Sequence, residues 1–81
     1  MEMLKIGKSV YVPCDKVLAC IEKKSRNSND MLTIAKENHK YIDATNGKAT
    51  KTLILLDDGT VVTASVTVET IINRCENKNE K

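Results

Sequence analysis

Phenylalanine and tryptophan are absent from this 81-residue chain, and tyrosine occurs only at Tyr11 and Tyr41. Valine, isoleucine and leucine must therefore fill the interior. Proteins that grip single-stranded nucleic acid stack bases on exposed aromatic rings, and two tyrosines make a poor platform for that mode. No apolar run approaches the roughly 20 residues that span a bilayer, so no membrane partner is expected. Histidine occurs once, at His39, and nothing resembles a nucleophile with its base. Asp57-Asp58 is a carboxylate pair, but it reads as turn chemistry rather than acid–base machinery. Gly47-Lys48 lacks the rest of a phosphate-loop pattern. The expectation is a protein that is not an enzyme, with no cofactor and no small-molecule substrate.

The cysteines number three, Cys14, Cys20 and Cys75. An odd count without a signal peptide argues against a secreted disulfide scaffold. Reduced thiols in the cytoplasm are the simplest reading. A metal site with His39 as fourth ligand is the alternative, but neither Cys-x-x-Cys nor a paired histidine supports it. A chain this short buries little core and needs some supplement. With disulfide and metal set aside, oligomerisation is the supplement expected.

Net charge is +2, unevenly placed. Residues 1–26 hold six basic and three acidic side chains, 27–56 four and three, and 57–81 three and five. The basic first two thirds suit a polyanion, or simply a mixed solvated surface.

Alternation at Leu4 and Ile6 predicts a first strand, and Val10 to Val12 a second that Pro13 stops. Cys14-Asp15-Lys16 forms a corner. The apolar run Val17–Ile21 predicts a buried strand, and the polar stretch Lys23–Asp30 a loop. Asn29 or Asp30 is expected to cap a short helix with Met31, Leu32, Ile34 and Ala35 on its apolar face. Residues 41–45 read as extended, and Asn46-Gly47 as a turn. Lys51–Asp57 and Thr60–Val66 carry a strong hairpin signature around Asp58-Gly59 or a slightly longer turn. Thr67 reads as the N-cap of a helix with Val68, Ile71, Ile72 and Cys75 on one face. Residues 1–76 are expected to form a single domain, and 77–81 a charged, frayed tail.

The predicted fold class is α+β: a small antiparallel sheet with two short helices. A two-residue turn at Asp58-Gly59 would put Leu53, Leu55, Val62 and Ala64 on one sheet face. Ile54, Leu56 and Val61 would then share the other with Thr52, Thr63 and Ser65. Two helices can cover one face. The second would be covered by a partner subunit, or by the N-terminal strands of the same subunit.

In residues 42–51 a strand ends, a glycine turns the chain, and Lys48, Thr50 and Lys51 follow. A turn that projects two lysines and a hydroxyl suits phosphate oxygens. Lys16, at the corner after Pro13, is a second basic candidate.

These segments resemble the extracellular-matrix regulator RemA-like family of bacteria. Its hallmark is Ile-Asp-Ala-Thr-x-Gly-Arg-Arg-Thr-Arg, followed by a strand, an Asp-rich turn, a second strand and a Glu-Thr-containing helix. Here the stretch reads Ile42-Asp-Ala-Thr-Asn-Gly-Lys-Ala-Thr-Lys51, and the resemblance runs from about Leu4 to Arg74. It implies a cytoplasmic, nucleoid-associated transcriptional regulator of biofilm-matrix genes. Such a protein would form a closed homo-oligomeric ring and bind double-stranded DNA. Carried over by position, the family's DNA-contacting arginines correspond to Lys48, Ala49, Lys51 and, in the N-terminal loop, Lys16. Ala49 removes one charge per subunit. Lysine keeps the others but loses the planar fork of arginine. The resemblance is therefore also compatible with an oligomeric adaptor that has given up DNA and turned the same surface to a protein partner.

Overall fold

The computed structural model describes residues 3–24 and 26–79. The chain runs β1 (Met3–Lys5), β2 (Tyr11–Pro13), a 3-10 turn (Cys14–Lys16), β3 (Val17–Glu22), α1 (Arg26–Glu37), β4 (Tyr41–Asp43), β5 (Thr52–Leu56), β6 (Val61–Ala64) and α2 (Val68–Asn79). The α+β class predicted from the sequence is the class observed. The sheet is mixed rather than purely antiparallel. β1 and β2 form a separate two-stranded ribbon, and the main sheet has the order β3-β5-β6-β4. β3–β5 and β5–β6 pair antiparallel, whereas β4 joins β6 in parallel. β3 and β4 thus run the same way at opposite edges, and α1 carries the chain from one to the other, as a parallel crossover requires.

The register is set by the hairpin turn. Leu56 N–H donates to Thr60 O (2.9 Å) and Gly59 N–H to Leu56 O (3.0 Å), so the loop is the three residues Asp57-Asp58-Gly59. Gly59 sits at φ +92° in the left-handed position that such loops need. Asp58 Oδ1 accepts from Thr60 N–H at 3.0 Å. Relative to a two-residue turn the pairing moves by one, and a one-residue shift exchanges every side chain of a strand between faces. Leu53 and Leu55 therefore stand beside Thr63 and Val61, while Ile54 stands beside Val62. This corrects the face assignment expected above.

Both faces are covered within the one chain. Ala35, Met31 and Leu32 of α1 and Tyr41 pack on Leu53, Leu55 and Val61. On the reverse, Leu4, Ile6 and Val12 of the ribbon and Ile71 of α2 close over Ile54, Val62 and Ala64. The helices lie on opposite faces, and of the two covers expected for the second face it is the N-terminal ribbon, with α2, that closes it. Burial of a Leu or Ile side chain contributes roughly 1.5–3 kcal/mol, and Leu53 and Ile54 are both wholly buried, one on each face. The buried threonines are satisfied: Thr52 Oγ1 donates to Val66 O at 2.7 Å and Thr63 Oγ1 to Asp43 Oδ1 at 3.1 Å.

Other expectations change in detail. β3 is an edge strand, not a buried one. Its register shifts between Val17 and Ala19, and Leu18 at that bulge is 64% exposed. α1 begins at Arg26, so Asn29 and Asp30 lie inside it rather than capping it. Buried Ser28 lies in that added first turn, its hydroxyl donating to the Lys23 carbonyl at 2.8 Å. Thr67 does cap α2, accepting from Thr70 N–H at 3.3 Å. α2 continues through Asn79, and the last two residues of the expected tail lie outside the described residues. Cys14 and Cys75 are disulfide-bonded and Cys20 is free, which corrects the reading of three reduced thiols.

Two turns generate predictions. His39 has φ +60°, with His39 N–H bonding Lys36 O (3.2 Å) and Lys40 N–H bonding Ala35 O (2.9 Å). This is a Schellman helix end with histidine where glycine is usual. His39→Gly is expected to stabilise the fold by about 0.5–1 kcal/mol, read as a higher urea midpoint. Gly7 packs against the carbonyl oxygen of Ala44, and a Cβ there would collide with that backbone. Gly7→Ala is expected to destabilise by about 1–3 kcal/mol, measured in the same titration.

Candidate functional site

The Ile42–Lys51 segment leaves β4 and returns to start β5. Thr45, Asn46, Gly47 and Lys48 form a tight turn closed by Lys48 N–H to Thr45 O at 3.1 Å. Asn46 (φ +59°) and Gly47 (φ +86°) both take the left-handed conformation, as in a type I′ turn. Asn and Gly are the residues that adopt it most readily.

What pins this turn is Asp43. Its Oδ1 accepts from Thr45 N–H (2.9 Å), Thr45 Oγ1 (2.6 Å) and Thr63 Oγ1 (3.1 Å). The first two close a local Asx turn, and the third ties the turn to buried β6. These bonds favour the charged carboxylate. The hydroxyl of Thr45, then its amide, then Thr63 hold the Asp43 pKa below the ordinary aspartate value. The Ile-Asp-Ala-Thr core is thus a structural device that fixes where the lysines after it begin. Thr45 is buried, whereas Lys48, Ala49 and Lys51 are exposed and Thr50 is half-exposed.

Lys51 is anchored through its backbone, with its N–H on Ala64 O (2.8 Å) and its carbonyl accepting from Lys23 N–H (3.1 Å). That second bond draws the β3–α1 corner alongside. Glu22, Lys23, Lys24, Thr50, Lys51 and Thr67 all line one open cleft of about 550 Å³ beside the start of α2. In the sequence Lys23 and Lys24 stand out only as part of a polar loop. Their proximity to Lys51 follows from β3–β5 pairing, a contact across 28 residues that no local motif announces.

Lys16 lies elsewhere. Val17 pairs with Leu56 and Glu22 with Thr52, so Lys16 and Lys51 flank opposite ends of the sheet. At about 3.3 Å per residue, the length of β5 separates them by roughly 17 Å. Lys16 instead sits by the hairpin turn, where its carbonyl accepts from Asp57 N–H (2.8 Å) and its ammonium lies 3.6 Å from Asp57 Oδ2. With both side chains about half exposed, this ion pair is weak. The four residues singled out from the sequence therefore divide into two groups: Lys48, Thr50 and Lys51 at one end, and Lys16 at the other.

Among the described residues no group of three or more His, Cys, Asp or Glu side chains gathers in metal-binding fashion. No helix among them is long and apolar enough to cross a membrane.

The sequence model of a family described as extracellular matrix regulatory protein A-like matches residues 3–75. The chain is also similar to a protein designated regulatory in Bacillus cereus (strain AH187), at 34% identity over 80 residues, covering 99% of this chain and 92% of the relative. Proteins with the same regulatory designation in Bacillus cytotoxicus and Bacillus mycoides (strain KBAB4) are 32% identical over the same spans.

The Asp43 hydrogen bonds predict a pH effect. Because its folded pKa is depressed, its contribution is complete above the ordinary aspartate range, about pH 4, and is lost as pH falls through the depressed value. Hydrogen-exchange protection of the Thr45 and Lys48 amides is expected to drop on acidification. In Asp43→Ala it should be low already at neutral pH and show little further pH response.

Proposed function

This chain belongs to the RemA-like family of regulatory proteins, and on that premise we propose that it is a transcriptional regulator that binds duplex DNA as a homo-oligomer. The observation that carries the reading is the pinned turn: Asp43 and Thr45 hold rigid a loop that presents Lys48, Thr50 and Lys51 to solvent. A pre-ordered loop loses little entropy when it meets a phosphate. Lys23 and Lys24 extend the same basic surface. The cytoplasm, at the nucleoid, is the place of action on this reading, and biofilm-matrix type genes are the targets.

Lysine in place of arginine makes the contacts chiefly electrostatic, through phosphates rather than base edges. Each subunit then binds weakly, and useful affinity requires several copies on one duplex. Assembly rests on exposed apolar side chains rather than on an uncovered sheet face. Leu18 (64% exposed), Ile34 (57%) and Ile42 (40%) stand on the β3 edge, on α1 and on the β4 edge. A groove of about 320 Å³ between α1 and the hairpin turn is lined by Met31, Ile34, Ala35, Leu55 and Val61. Lys16 shares a continuous basic track with Lys48 and Lys51 only if the Lys16 end of one subunit meets the Lys51 end of the next. A closed ring of head-to-tail subunits satisfies that requirement.

The second reading, an oligomeric adaptor whose same surface holds a protein partner, is favoured by one residue: exposed Ala49 stands where the family carries a second arginine.

Gel shifts over a salt series discriminate between them. DNA binding is expected to weaken steeply with salt, and each lysine–phosphate pairing removed should flatten the slope of log K against log salt by about 0.9 per subunit. Lys48→Ala with Lys51→Ala should flatten it accordingly, and Lys48→Glu with Lys51→Glu should abolish the shift. Light scattering reports the particle size with and without duplex. An oligomer that ignores duplex DNA in dilute buffer leaves only the adaptor; a lone subunit at high concentration sinks both readings.

A further inference from the structure

All three cysteines pack against the same core cluster, yet only two of them meet. Cys14 opens the 3-10 turn before β3, and Cys75 lies on α2. Their sulfurs are bonded, with Cα atoms 6.2 Å apart and 61 residues of sequence separation. That Cα distance falls in the range a disulfide bridges without moving the backbone. Neither residue is fully buried.

We propose that Cys14 and Cys75 form a reversible thiol–disulfide latch that fastens the C-terminal helix to the turn carrying Lys16. Opening requires a dithiol reductant. Its thiolate attacks one sulfur of the pair, the S–S bond breaks, and the other cysteine leaves as a thiolate that takes up a proton. The reductant's second thiolate then attacks the mixed disulfide, frees the first cysteine and departs as a cyclic disulfide. Two electrons and two protons pass to the protein. Closure reverses this with a low-molecular-weight disulfide as oxidant, which leaves as two thiols.

With the latch open, α2 keeps its Ile71 packing on the core and the bond from Arg74 Nη1 to Lys5 O at 2.6 Å. The 3-10 turn keeps its backbone bond to Asp57. Only the covalent tie between them goes, and a tie across so long a loop restricts the unfolded chain strongly. Cys20, on β3, stands aside: burial raises its thiol pKa and keeps it a poor nucleophile. The proposal does not depend on DNA binding.

The test uses the full chain equilibrated with oxidised glutathione or with dithiothreitol, acid-quenched and alkylated in denaturant. Mass spectrometry is expected to find one alkylated thiol and a Cys14–Cys75 cross-linked peptide after oxidation, and three alkylated thiols after reduction. Reduction should also lower the urea midpoint and speed amide exchange in α2 and at Lys16 and Val17 by about tenfold or more. Cys14→Ser with Cys75→Ser should match the reduced protein under both conditions, while Cys20→Ser preserves the difference. Should the double variant fail to fold, the reduced unsubstituted chain makes the same comparison. Absence of the cross-linked peptide after oxidation, or identical midpoints and exchange in the two forms, overturns the latch whatever the DNA assays show.

Discussion

The length of one turn governs this fold. Asp57-Asp58-Gly59 is the three-residue loop between the bonded residues Leu56 and Thr60, and the left-handed Gly59 makes that length possible. From it follows the pairing of Ile54 with Val62 and of Leu55 with Val61. These pairs define two apolar faces of different character. One takes a single helix, and the other takes a ribbon and a helix. A two-residue turn would set Leu53 and Leu55 beside Val62 and Ala64 and break up both clusters.

Most of the fold is legible in the sequence because its signals are local. Alternation marks β1 and β2, β-rich runs around Asp58-Gly59 mark β5 and β6, a threonine cap and four spaced apolar residues mark α2, and Asn46-Gly47 marks its turn. The departures have a common cause. The face assignment fails because Asp-Gly supports loops of two or three residues, and only strand pairing decides between them. The Val17–Ile21 run reads as buried because composition does not reveal which strand lies at an edge. The start of α1 is hidden because Ser28, a residue that favours caps and turns, is here buried with its hydroxyl on a backbone carbonyl. The Cys14–Cys75 pairing joins opposite ends of the chain, and no spacing rule announces it.

The site is legible in composition but not in layout. Lys48, Thr50 and Lys51 are sequence neighbours and remain neighbours. Lys16 is held by Asp57 at the far end of the sheet, and Lys23 and Lys24 lie beside Lys51. The hallmark residues divide their labour. Asp43 and Thr45 build the turn through their mutual bonds, and the residues after Gly47 face solvent. A chain can therefore need the Ile-Asp-Ala-Thr core for folding whatever side chains stand at the solvent-facing positions 48–51.

The bulge at Leu18 bears on how copies of this small sheet can join. A sheet with two open edges can in principle add strand to strand without end, giving a ribbon or fibre. Endless growth needs both edges to offer a regular row of amides and carbonyls. At β3 the pairing is interrupted, with Leu18 outside the register between Val17 and Ala19. One irregular edge suffices to halt backbone-to-backbone propagation. In the assembly proposed above, association is then left to side-chain contacts, whose fixed geometry favours particles of finite size over filaments.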